Sequence, residues 1–60
     1  MENTYRMFLE STYNLAFLGE IKAKTKNEAV KKLDEDWKYK NLGIFSDIEL
    51  RNIYRNSVKL

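Results

Sequence analysis

The sequence predicts a small α+β domain: a β-hairpin packed on one amphipathic helix, with a C-terminal segment that reads as a second helix. Three observations carry this. Bulky apolar residues dominate Tyr5-Arg6-Met7-Phe8-Leu9 and the stretch from Leu15 to Ala23, with no helix cap in either. Thr25-Lys26-Asn27-Glu28 is a capping box that opens an apolar stripe at helical spacing. Ser46-Asp47-Ile48-Glu49 is a second capping box. The 60 residues make one domain, with the hairpin over about 4–24, the helix over about 26–40 and the C-terminal segment over about 46–58.

The hairpin comes first. With Thr12-Tyr13-Asn14 as a three-residue loop, Asn14 takes the left-handed position that such loops require. Ser11 then faces Leu15, Leu9 faces Phe17, Phe8 faces Leu18, Met7 faces Gly19, Arg6 faces Glu20 and Tyr5 faces Ile21. That register gathers Tyr5, Met7, Leu9, Phe17 and Ile21 on one side. On the other it sets Arg6 against Glu20, an opposite-charge pair worth roughly 0.2–1 kcal/mol. A one-residue slip would scatter both sets, so the pattern specifies its own register.

The helix follows at once. The Thr25 hydroxyl and the Glu28 carboxylate each satisfy an orphan backbone N–H. Ala29, Val30, Leu33 and Trp37 form the apolar stripe. Glu28–Lys32, Asp34–Lys38 and Asp36–Lys40 are i,i+4 pairs in the favourable order, each worth about 0.2–0.5 kcal/mol. Asn41 or Gly43 supplies the stop.

The segment from Ile44 to Leu60 supports two readings. Phe45 and Leu50 sit where a hydrophobic staple places them, and Leu50, Ile53, Tyr54 and Ser57 would form an inner helical face. Yet Ile48, Leu50 and Tyr54 also alternate against Glu49, Arg51 and Arg55, as in an amphipathic strand. Two strands alone are marginal, which favours a third and a ββαβ order. The start signals favour the helix.

Composition removes most chemistry. With no histidine or cysteine there is no neutral-pH imidazole base, no thiolate nucleophile and no conventional zinc site. Two glycines cannot make a glycine-rich phosphate loop. No enzyme and no cofactor is expected. No apolar run approaches the roughly 18 residues of a membrane span, and the acidic, polar start is unlike a signal peptide, so the expected location is the cytoplasm. A net charge of +2 excludes an acidic nucleic-acid mimic without demanding a polyanionic partner. A 60-residue chain buries only about 60% of its unfolded surface, and no disulfide or Cys/His metal site staples this one. A partner that binds the native state, or a second copy in a homodimer, is therefore expected to add stability.

Candidate functional residues are surface residues. The acidic run Asp34-Glu35-Asp36 spreads by about 100° per residue around a helix, so it reads as a solvated face. Lys22, Lys24, Lys26, Lys31 and Lys32 stand against Glu28 alone between positions 22 and 32. Arg51, Arg55 and Lys59 would align on one side of a C-terminal helix. If these surfaces adjoin, Lys22, Lys24, Lys26, Arg51, Arg55 and Lys59 could hold a phosphate backbone. Phe8 and Leu18 project from the hairpin face opposite the helix, flanked by Tyr13 and the Arg6–Glu20 pair. Exposed apolar contact on a sheet marks an interaction surface unless the C-terminal segment covers it. Trp37 belongs to the helix stripe and reads as core, whereas Tyr39 points away from it.

The run Tyr5-Arg6-Met7-Phe8-Leu9, with Gly19-Glu20-Ile21-Lys22-Ala23-Lys24-Thr25-Lys26-Asn27-Glu28-Ala29, resembles the strand, strand, "A-x-T-x-x-E-A" and helix of short accessory proteins of bacteriophages and mobile elements. The resemblance covers residues 4 to 40, and the Lys, Asn, Ile and Tyr usage is similar to that of AT-rich hosts. It implies a single-purpose binder that inhibits or redirects a host macromolecule, such as a defence nuclease. The expected function is non-enzymatic occupation of a host protein or complex. Its anchors would be Phe8, Leu18 and Tyr13, with a rim of Arg6, Glu20, Lys22 and Lys24. The alternative is a small basic nucleic-acid-binding accessory protein.

Overall fold

A computed structural model describes the backbone of residues 1–41 and 45–60 and the side chains of residues 1–36 and 45–60. Five elements follow in chain order: β1 (Asn3–Glu10), β2 (Leu15–Ala23), α1 (Lys26–Asn41), α2 (Asp47–Asn56) and β3 (Val58–Lys59). The strands form one antiparallel sheet in the order β2-β1-β3. The fold is α+β, with the hairpin packed on α1. The assignments to the side chains of Trp37, Lys38, Tyr39, Lys40 and Asn41, and the stop at Gly43, lie outside the described residues.

The core shows which face of the sheet is inside. Tyr5 and Met7 from β1, Ala23 from β2, Ala29, Val30 and Leu33 from α1, and Ile53 from α2 make one buried cluster. Both helices therefore cover the face that carries the odd-numbered residues of β1. Met7 and Ile53 are its largest fully buried side chains. Each such burial contributes roughly 1.5–3 kcal/mol.

Local signals start both helices. The Glu28 N–H donates to the Thr25 hydroxyl at 3.2 Å, and the Glu28 carboxylate accepts from the Lys24 N–H at 3.3 Å. Glu28 also lies 3.9 Å from Lys32, whose ammonium donates to the Lys22 carbonyl at 2.9 Å and so ties α1 to β2. Ser46 caps α2 by accepting from the Glu49 N–H at 3.2 Å, while its hydroxyl meets the Glu49 carboxylate at 3.1 Å. Phe45 and Leu50 both pack against the core, as a staple requires.

The C-terminal segment is both helix and strand. After α2, buried Ser57 turns the chain into extended backbone, and its N–H and hydroxyl both bond the Ile53 carbonyl. Val58 and Lys59 then pair with Arg6 and Tyr5, and the Leu60 N–H reaches the Thr4 carbonyl at 2.8 Å. The third strand is thus two residues long and follows the helix instead of replacing it. The order is ββααβ.

The hairpin register agrees with the sequence only on one side of Met7. Tyr5–Ile21, Arg6–Glu20 and Met7–Gly19 pair as expected. Beyond them Phe8 pairs with Phe17, Leu9 with Ala16 and Glu10 with Leu15, so Leu18 is an extra residue in β2. This bulge corrects the expected Leu9–Phe17, Phe8–Leu18 and Ser11–Leu15 pairs. The loop correspondingly spans residues 11–14, and the Ser11 hydroxyl closes it with bonds to the Asn14 carbonyl and N–H at 3.1 and 3.2 Å. Gly19 stands next to the extra residue, with a φ of +141° that is open to glycine and rarely to other residues. The bulge exchanges two side chains. Leu18 turns inward to pack on the core, and Phe17 turns outward.

Candidate functional site

The outer face of the sheet follows from the register. Opposite residues of antiparallel strands share a face. Arg6 thus sits between Glu20 on β2 and Val58 on β3, and Phe8 sits beside Phe17. Thr4 lies between Lys22 and Leu60, whose N–H bonds its carbonyl. The Phe8 and Phe17 rings meet at a centroid distance of 5.5 Å with planes tilted by 55°. That geometry suits the aromatic quadrupoles better than a sandwich. Arg6 and Glu20 form a loose ion pair at 3.5 Å, with about half of each side chain in solvent. These four residues line a shallow dish of about 420 Å³.

This face carries exposed apolar surface, as α2 does at Ile48 and Tyr54. Phe17 is 59% exposed, Val58 50% and Leu60 58%; at the tip of the hairpin Leu15 is 57% and Tyr13 91% exposed. Phe8 is half-buried beneath them. The helices lie on the opposite face, and β3 lines the edge without crossing over it. Among the described residues, the C-terminal segment is therefore not a lid for Phe8 and Phe17.

The expected anchors separate accordingly. Phe8, Arg6 and Glu20 come together, while Leu18 belongs to the core and is replaced on the surface by Phe17. Lys22 shares the outer face and is exposed. Lys24 lies just beyond β2, where its backbone is held by Glu28 and by the Asn3 amide. Phe17, Val58 and Leu60 are exposed apolar residues that the sequence reading did not place on this face. Gly19 was the available signal for Phe17, because an isolated glycine inside a strand pattern marks a bulge.

Among the described residues, the six predicted phosphate contacts do not share one surface. The Arg55 guanidinium is held by Glu10 at 2.9 Å and by Asn52 at 2.8 Å. Lys26 stacks over the Tyr54 ring at 5.5 Å. Lys59 lies on β3 opposite Tyr5, on the other side of the sheet from Lys22, so it does not align with Arg51 and Arg55 along a helix. Arg51 instead flanks an apolar groove of about 390 Å³ between α1 and α2, with Lys31, Val30, Leu50 and Tyr54.

Acidic side chains serve structural ends. Asp34 accepts from the Phe45 N–H at 3.2 Å, which fastens the start of α2 to α1. Glu10 joins the hairpin tip to Arg55 and Asn56. Among the described residues no three His, Cys, Asp or Glu side chains are grouped to hold a metal ion, and no helix is long and apolar enough to cross a membrane. Compared with protein-family models, curated proteins and solved structures, the chain matches none.

Proposed function

We propose that this chain is a non-enzymatic binding protein that acts by covering the surface of a host macromolecule, with the outer face of its sheet as the contact. The observation that carries the reading is the Phe8–Phe17 pair, an aromatic anchor on an open sheet face with Phe17 59% exposed. A few well-packed anchors supply most of the energy of protein contacts, aromatic side chains are enriched at their centres, and a polar rim surrounds them. Arg6, Glu20 and Lys22 form that rim, while Tyr13 and Lys24 extend it at the two ends of the hairpin. The mechanism is steric. A small preformed domain blocks a site on its partner without chemistry of its own.

The resemblance to phage and mobile-element accessory proteins supports a host protein or complex as partner, a defence nuclease for instance, in the host cytoplasm. A second reading, nucleic-acid binding, draws on Lys31 and Arg51 beside the exposed Tyr54 ring. The test is capture of partners from host extract by the tagged protein, with and without nuclease treatment. Replacing Phe8 and Phe17 with threonine keeps strand propensity and removes the apolar contact. The folded double variant should lose a nuclease-resistant partner that the parent retains. Undiminished capture by that variant would remove the sheet face from the mechanism.

A further inference from the structure

We infer that the groove between α1 and α2 is a second docking site, apart from the sheet face. Its occupant is a short acidic segment of a partner protein, anchored by one bulky apolar side chain.

Helix spacing builds the groove. Residues three and four apart are neighbours on a helix. Asn27, Val30 and Lys31 thus line it from α1, and Leu50, Arg51 and Tyr54 from α2. The helices run antiparallel beside it. Lys26, at the start of α1, lies over the ring of Tyr54 near the end of α2. Asp34, further along α1, holds the Phe45 N–H just before α2. Val30, Leu50 and the 45% exposed Tyr54 ring make an apolar floor. The space of about 390 Å³ is at the small end of ligand-sized sites, which run from about 300 to 1,000 Å³. It admits one large side chain with its neighbours, as a groove that reads a peptide does.

The rim sets the chemistry of the occupant. Lys31 and Arg51 are exposed on the facing helices, and among the described residues neither has a side-chain hydrogen bond or ion pair. Glu35 and Asp47 stand one turn from them, and neither closes an ion pair with them. Lys26 remains charged on the Tyr54 ring. Three cations therefore border an apolar floor, a combination complemented by carboxylates beside an apolar anchor.

The same groove suits nucleic acid less well. Single strands bind where a cationic track accompanies aromatic faces on which bases stack. Here the aromatic ring of the lining, Tyr54, already lies under Lys26. The charge also reverses along the groove. One turn beyond Lys31 and Arg51, the two helix stripes continue into Asp34 and Asp47. A phosphate backbone running along the groove would meet them as like charge. A peptide avoids them by placing its acids at the Lys26 end and its uncharged stretch at the Phe45 end.

Selection from a random peptide display library on the immobilised full chain, in about 150 mM salt, tests this. Enriched peptides should share a bulky apolar residue with Asp or Glu residues on one side of it. Synthesised and titrated into isotope-labelled protein, they should shift the amide signals of Val30, Lys31, Leu50, Arg51 and Tyr54. Lys31→Glu with Arg51→Glu should weaken them at least about tenfold, because opposite charges become like charges. That variant should instead bind the same peptides with Lys in place of each acid. Circular dichroism verifies the fold of each variant. Phe8→Thr with Phe17→Thr should leave this binding unchanged. Absence of any enriched peptide, a consensus without acids, or undiminished binding by the folded charge variant overturns the inference. So does a single-stranded oligonucleotide that displaces the peptides at lower concentration in the same salt, which would give the groove to nucleic acid. Peptides lost with Phe8→Thr and Phe17→Thr alone would also overturn it, and would support the sheet face as the contact surface instead.

Discussion

Gly19 adjoins the bulge that sets which of two neighbouring side chains enters the core. Its φ of +141° lies where a Cβ is strained, yet a Cβ built there would meet no atom within 4 Å. Gly19→Ala therefore isolates backbone strain from crowding. Residues forced into sparsely populated conformations cost about 1–3 kcal/mol. Each kcal/mol shifts the melting midpoint of a domain this small by about 4–8 °C. We expect Gly19→Ala to lower the thermal midpoint by at least that interval. A second signature should accompany it. If the strained strand relaxes by losing the bulge, Phe17 and Leu18 exchange faces and the Phe8–Phe17 ring contact disappears from aromatic nuclear Overhauser spectra. An unchanged midpoint with the ring contact intact would show that the bulge does not need its glycine.

At the scale of elements, caps and ion pairs contribute unequally. Ser46 holds the start of α2 through two bonds with Glu49 and leads from Phe45, which Asp34 anchors. Replacing such a cap with alanine costs about 1 kcal/mol. The Glu10–Arg55 pair is shorter at 2.9 Å, but both side chains are about half exposed or more. Exposed pairs contribute at most about 1 kcal/mol, and salt screens them. Urea unfolding should therefore show Ser46→Ala as the more destabilising change, with a cost insensitive to salt, and Glu10→Gln as a smaller one that fades as salt rises. The same contrast explains which elements were legible. Both capping boxes are local, four-residue signals, so α1 and α2 could be read at Thr25 and Ser46. The Arg6–Glu20 pair, and with it half of the hairpin register, was legible because charge and apolar alternation agree there. Beyond Met7 the alternation misleads, because one bulged residue reverses the parity of everything after it. Phe17 was consequently assigned to the core and Leu18 to the contact surface. The strand Val58–Lys59 was not legible as such. It exists because β1 has a free edge at Thr4–Arg6, and that is a property of the assembled sheet.

For the whole molecule, the distribution of charge matters more than its sum. A net charge of +2 could steer a polyanion only if the free cations shared one surface. Here Arg55 is engaged by Glu10, Lys32 by Lys22 and Glu2, and Lys26 by the Tyr54 ring. Lys22 and Lys59 lie on opposite sides of the sheet, while Lys31 and Arg51 flank one groove beside the Tyr54 ring that Lys26 covers. Two phosphate contacts correspond to a logarithmic salt slope of about −1.8, or roughly a tenfold loss of affinity between 50 and 200 mM salt. We therefore expect only weak association with arbitrary DNA or RNA at low salt, lost near physiological ionic strength. Lys31→Glu with Arg51→Glu should abolish it, and Phe8→Thr with Phe17→Thr should leave it unchanged. Titrations of a labelled oligonucleotide at a series of salt concentrations measure both the affinity and the slope. A loss of about a thousandfold or more over the same interval would mean six or more phosphate contacts. Six contacts exceed the charges of Lys26, Lys31 and Arg51 at this groove, so that outcome would make nucleic acid the partner and remove the sheet face from the centre of the mechanism.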